Sequence, residues 1–244
     1  MTPVETHIHT RLLRFTLREE ESALYWRAHA EGRQLTPASA FADYTFGQKS
    51  EAYVERALRN LRIRFDALPP SIDALPLLEL TRAERVVVCH VHTLLTDPFY
   101  RCFSIWLTER RELGIRAMHK DEVTRWVETE QPERWAPSTR IQWATKLLAT
   151  SREAGLVTGS KDPRPLAVPH VTDTVLTYVL HLLRTVQMEH TLLVNPYLRS
   201  LGLDGGLLTD RVRNLPAVSL ERMGDLVDLR FHHPDLLTWA RSRS

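Results

Sequence analysis

Cysteine is almost absent: the 244 residues hold two, Cys89 and Cys102, thirteen positions apart. Both fall inside expected helices and form neither a disulfide framework nor the paired spacing of a zinc site, so a reducing cytoplasm is the expected compartment. Long apolar runs are missing too. The most apolar stretch, VVVCHVHTLL from Val86, is ten residues long, carries two histidines and is closed off by Asp97 and Pro98, which is too short for a membrane span. The opening MTPVETHIHTRLLRF lacks the apolar segment of a signal peptide. Lysine is scarce, with four residues against 28 arginines. That skew suits forked recognition of phosphate, and the codon bias of a GC-rich genome accounts for it equally well. Net charge is only +2, so no global field draws the molecule onto a polyanion, and any nucleic-acid contact must come from local clustering.

What is present is ordinary for a folded protein. A composition of 43% hydrophobic and 25% charged residues excludes wholesale disorder, and the length allows two to three small domains with a sizeable core. Periodicity and punctuation predict a mainly α fold with helix-turn-helix or winged-helix units and a few short β-strands. A first helix is expected over Glu19 to Glu31, ended by Gly32. A short one follows over Pro37 to Tyr44, then the turn TFGQK, then a long helix from Ser50 to Leu68 stopped by Pro69 and Pro70. TRAE at Thr81 forms a capping box for a helix reaching Thr96, and Asp97 with Pro98 opens another to Leu113. Val123, Trp126 and Val127 mark a short amphipathic helix. The next helix enters at Pro137 with Ser138 or Thr139 and closes where Gly155 supplies a left-handed cap.

Past Gly155, LVT and LAV flank GSKDPRP, a hairpin with a basic tip, so helix, helix and hairpin follow in the order of a winged helix-turn-helix. The remainder reads as helices over Asp173 to Gln187, after Asn195, and over Leu207 to Leu215, then a strand-like run DLVDLRF from Asp225. The expected division is 1–70, an N-terminal helix-turn-helix-like domain; 77–170, a second helical domain with the winged unit; and 171–244, a C-terminal helical segment with a short strand region.

Two helices carry candidate contact faces. On a wheel of about 100° per residue, Ile141, Ala144, Leu147, Leu148 and Ala154 form an inward arc. Thr139, Gln142, Lys146, Ala149, Thr150 and Glu153 form the opposite one, with Trp143 at its border and Arg140 near the start. An amide can pair bidentately with adenine, while hydroxyls and cations hold phosphates; an ordinary solvated face would show the same residue types. Lys161 and Arg164 at the hairpin tip lie where a wing would touch the backbone. In the N-terminal region, Val54, Ala57, Leu58, Leu61, Phe65 and Leu68 turn inward, leaving Arg56, Arg59 and Arg62 outside, with Lys49 in the preceding turn. These cations could track phosphates, or be absorbed by Glu55 and Asp66 at i,i+4 spacing.

No active site is expected. His7 and His9 have the spacing of a strand ligand pair, but no downstream cluster completes a metal site. His90 and His92 diverge by about 200° on a helix and cannot share an ion, and His232 with His233 belong to a loop before Pro234. GLVTGSK lacks the spacing of a phosphate loop, and no serine sits in a GxSxG elbow. Trp106, Trp126 and Trp143 are expected as core anchors. Neither cofactor nor metal is implied.

KSEAYVERALRNLRIRFDALP, then LTRAERVVVCHVHTLLTDPFYRCF, then WAPSTRIQWATKLLATSREAGLV together resemble the BrxA family of bacterial BREX phage-exclusion systems, over roughly Ser50 to Trp239. The resemblance implies a non-enzymatic, winged-helix-containing protein that binds double-stranded DNA alongside a methyltransferase and large ATPase components; the inner-membrane label of some relatives is argued against by the absence of a spanning segment here. It places Ser138, Thr139 and Arg140 at the head of the recognition helix. The alternative is a structural adaptor that binds other defence proteins without touching DNA. A hydrolase using His7, His9 or aspartates would require bound metal.

Overall fold

The computed structural model describes residues 1–68, 71–189, 191–223 and 226–243, leaving the side chains of 222, 223, 226 and 227 outside the description. Strand β1 (Thr2–Pro3) and a 3-10 turn at Arg11–Leu13 lead into helices α1 (Glu19–Ala30), α2 (Pro37–Ala42), α3 (Glu51–Phe65) and α4 (Ser71–Ala74). A second 3-10 turn, Leu75–Leu78, precedes α5 (Arg82–Thr96), α6 (Pro98–Glu112), β2 (Ala117–Met118), α7 (Lys120–Glu130), α8 (Pro137–Glu153) and β3 (Arg164–Pro165). The chain then runs through α9 (Asp173–Leu183), β4 (Val186–Gln187), α10 (Pro196–Ser200), α11 (Gly205–Arg213), the hairpin β5 (Val218–Met223) with β6 (Leu226–Phe231), and α12 (Leu236–Arg241). The protein is mainly helical, with its strands in short pairs.

Caps set these boundaries. Thr81 accepts the amide of Glu84, whose carboxylate accepts the amide of Thr81 at 2.8 Å, so both ends of the expected capping box close. Asp97 accepts from the amide of Tyr100 at 3.0 Å and starts α6. Gly155, at φ +76°, turns the chain out of α8. Two helices end three or four residues earlier than expected. Helix α3 stops at Phe65, where Asp66 caps it, and Pro69 and Pro70 lie outside the described residues, as does Asp225. Helix α9 stops at Leu183, because Val186–Gln187 pairs in parallel with Thr2–Pro3. That pairing joins distant segments and has no local sequence signal.

From α6 to β3 the elements follow in the order of a winged helix-turn-helix. β2 pairs antiparallel with β3, placing Met118 opposite Arg164, and Val157 bridges Leu166 on the other side. The hairpin expected from LVT and LAV is therefore present, held by bonds from Thr158 N to the Pro165 carbonyl and from Ala167 N to the Leu156 carbonyl. The third strand, β2, was not anticipated; two residues are too few for an alternation signal.

Six aromatic rings, those of Phe99, Phe103, Trp106, Trp126, Trp135 and Trp143, bind α6, α7 and α8 into one unit. Phe99 lies 4.8 Å from Trp143, 4.9 Å from Trp135 and 5.2 Å from Trp126, and Trp126 stacks on Trp106 at 5.5 Å. Trp143 is 0% exposed, which moves it from the border of the outer arc to its buried side. The same rotation brings Ile141 out: expected in the core, it is 47% exposed. Thr150 goes the opposite way, buried and donating to the Lys146 carbonyl. Trp143 and Ile141 are two residues apart, about 200° around the helix, and cannot both face inward.

Elsewhere the interior is polar at defined points. His92 donates from Nδ1 to the Arg64 carbonyl at 3.1 Å, and its Nε2 accepts from the Tyr178 hydroxyl at 2.7 Å. Ser200 donates to the Tyr197 carbonyl, so it accepts from Nε2 of His90, whose Nδ1 accepts from Tyr100. His181 stacks on Trp239 at 5.5 Å and meets Phe231 at 4.7 Å, with neither ring nitrogen hydrogen-bonded. Burial pushes His90 and His92 down to about 3, and burial aided by Arg184 and His233 pushes His181 down to about 4. Unfolded, these rings titrate near 6.5. Between that value and about 3 the unfolded chain binds protons that the folded one refuses, so stability is full above pH 6.5 and falls as pH drops through this window. The melting temperature followed by circular dichroism is expected to fall from pH 7.5 to pH 5. His181→Phe, which keeps the ring contacts, should fall less than the wild type.

Candidate nucleic-acid interface

Helix α7, the turn after it and helix α8 form the helix-turn-helix, and the aromatic cluster decides which side of α8 meets solvent. Ser138, Ile141, Gln142, Thr145 and Arg152 are exposed and recur at helical spacing, with Ala149 and Lys146 half-buried along the same stripe. Only one carboxylate belongs to this helix, Glu153, and it is turned to a structural task. It accepts from the Thr16 hydroxyl and the Leu17 amide, each at 3.0 Å, and from the Arg18 amide at 3.4 Å. From the far side Arg64, fully buried at the end of α3, donates to the carbonyls of Thr16 and Leu17. Burial lowers the pKa of that guanidinium, and the nearby carboxylates, Glu153 among them, oppose the shift. The outward stripe is thus free of acid.

The candidate residues divide sharply. Gln142, Lys146 and Lys161 have no side-chain partner among the described residues, and neither do Arg152, Arg116 or Arg125. Arg140 is engaged: it pairs with Glu128 of α7 and donates to the Pro132 carbonyl, so the residue expected at the groove instead ties the two helices together. Arg164 is 13% exposed and pairs with Asp162 at 2.8 Å, while the other carboxylate oxygen of Asp162 accepts from the Lys120 amide. The wing tip is in this way fastened to the start of α7, leaving Lys161 as its free cation. Ser138 is exposed and Thr139 half-buried at the head of α8, which follows the exposed carboxylates Glu130 and Glu133 in the chain. Free positive charge therefore lies towards the middle and end of α8 and on the wing.

On α3 the arginines are occupied. Arg59 pairs with Glu55 at 2.6 Å, the i,i+4 pairing anticipated from spacing. Arg62 does not pair with Asp66; it donates to the Leu35 carbonyl at 2.6 Å, and Asp66 accepts the Tyr25 hydroxyl at 2.8 Å. Arg56 reaches only its own helix, at the Ala52 carbonyl, and Lys49 lies 5.6 Å over the Tyr53 ring. Glu51, Glu55 and Asp66 interleave with the arginines on the exposed side.

Sequence reasoning missed Ile141, Thr145 and Arg152. Placing Trp143 among the core anchors on the wheel as well as by residue type would have rotated all three outward. His9 bonds the Thr96 carbonyl at 3.1 Å and lies 3.6 Å from Asp97, a contact that packs the N-terminal segment against α5. Among the described residues no group of three or more His, Cys, Asp or Glu could hold a metal, and no helix is long and apolar enough to cross a membrane. No protein-family model matches the chain, and no curated relative matches it, so the likeness to the BrxA family stands on the quoted motifs alone.

Paired and free cations predict different phenotypes. Arg140→Ala should destabilise the protein by about 1–2 kcal/mol, the scale of charge-assisted bonds at a partly exposed site, whereas Lys146→Ala should leave the melting temperature within error. Thermal denaturation of the two variants beside the wild type checks the contrast.

Proposed function

We propose that the protein is a non-enzymatic double-stranded DNA-binding factor that docks α8 in the major groove and rests its wing on the flanking backbone. One observation carries the reading. The second helix of a winged helix-turn-helix presents a stripe with an amide, hydroxyls and unpaired cations but no carboxylate. Lys146, Arg152 and Lys161 neutralise phosphates, and Gln142 faces base edges. Between Arg116 and His170 nine basic residues stand against seven acidic ones, so affinity depends on where the charges lie and not on their sum. Since Arg59 and Arg62 are already partnered, the face of α3 plays the lesser part. The wider assignment, an accessory factor of a BREX-type phage-defence system working with a methyltransferase and an ATPase, rests on the sequence resemblance.

Electrophoretic mobility with random duplex DNA tests the reading. With about three phosphates neutralised, affinity should drop about fortyfold between 50 and 200 mM salt. Lys146→Glu combined with Arg152→Glu should abolish the shift without lowering the melting temperature, and Arg59→Glu should change it little. A wild-type protein that leaves duplex unshifted at low salt would overturn the proposal and favour the adaptor reading.

A further inference from the structure

We infer that α8 reads the C5-methyl groups of thymine in A·T pairs through Ile141 and Thr145, an inference that rests on the major-groove docking proposed above. Ile141 is the only large apolar side chain exposed on this helix, and it lies mid-stripe between Ser138 and Thr145. Thr145 follows one turn later, and its hydroxyl donates back to the Ile141 carbonyl at 2.9 Å. That bond takes up the hydroxyl proton and leaves the γ-methyl as the apolar group Thr145 offers outward. Two apolar contacts therefore stand in line, four residues or about 6 Å apart along the helix axis.

Base pairs repeat every 3.4 Å along a strand, so this spacing spans about two successive steps. In the major groove only thymine, among the ordinary bases, presents a methyl group, and adenine opposite it offers the N6 donor and N7 acceptor that a glutamine side chain pairs bidentately. Gln142, exposed and without a partner beside Ile141, has that amide. Apolar side chains for the methyl and an amide for the purine thus adjoin on one face. A G·C pair would set the cytosine N4 donor against Ile141, which cannot accept it.

A protein occupant suits the stripe poorly. Protein interfaces bury a core of several apolar or aromatic residues, whereas here a single isoleucine is surrounded by hydroxyls, an amide and cations. The absence of carboxylate along the stripe complements a polyanion.

The test compares duplexes of A·T pairs with the same duplexes carrying uracil for thymine, which removes the methyl and keeps the pairing. The wild type should lose about fourfold in affinity for each contacted methyl, the factor to which ~0.8 kcal/mol per buried carbon corresponds. Ile141→Ala, and Thr145→Ser as the variant that keeps the hydroxyl, should each bind the uracil duplex as the wild type does and lose part of the thymine preference. Equal wild-type affinity for both duplexes, or a preference untouched in both variants, would overturn the inference while leaving DNA binding in place. Absence of any duplex binding would overturn both.

Discussion

The packing of Trp143 against Phe99 and Trp135 is the contact on which the presentation of α8 depends. A helix anchored by one large ring has its rotation about its own axis fixed, because each residue advances the direction of its side chain by about 100°. With Trp143 inside, Leu147, Ala144, Leu148 and Ala154 follow it inward. Trp126 and Trp106 extend the cluster into α7 and α6, so the turn between α7 and α8 is braced at both ends. A smaller residue at 143 would leave a cavity and remove the one side chain that distinguishes this rotation from its neighbours.

The rest of the interior supports that unit with a different device. Buried polar residues at the junctions of α3, α5, α6, α9 and α10 hydrogen-bond across helices: His92 to Tyr178 and the Arg64 carbonyl, His90 to Tyr100 and Ser200. Because each neutral imidazole has one donor and one acceptor nitrogen, such bonds are satisfied in a single arrangement. Apolar contacts alone would tolerate sliding of one helix along another; these bonds do not.

Local punctuation made most helices legible. Thr81 with Glu84, Asp97 with Pro98, Asn195 with Pro196 and the left-handed Gly32 and Gly155 are decided within a turn of the chain, and so are visible without tertiary structure. What stayed hidden was decided across the fold. The pairing of Thr2–Pro3 with Val186–Gln187, the two-residue strand β2 and the buried guanidinium of Arg64 depend on partners far away in sequence. The candidate site was legible by type and only partly by residue. Gln142, Lys146 and Lys161 are open to solvent or half so and unpartnered, whereas Arg140 and Arg164 are taken by Glu128 and Asp162. Spacing reveals i,i+4 pairs such as Glu55 with Arg59, but a partner twelve residues away on another helix leaves no trace in the wheel.

The grip on Thr16, Leu17 and Arg18 from both sides has a mechanical meaning. Glu153 holds the amides of Leu17 and Arg18 and the Thr16 hydroxyl, while Arg64 holds the carbonyls of Thr16 and Leu17. Helix α8 cannot tilt without pulling this strap away from the buried guanidinium of Arg64, whose donors it satisfies. The two helices α8 and α3 are therefore coupled through residues 16–18, so that a displacement of one pulls on the hydrogen bonds of the other.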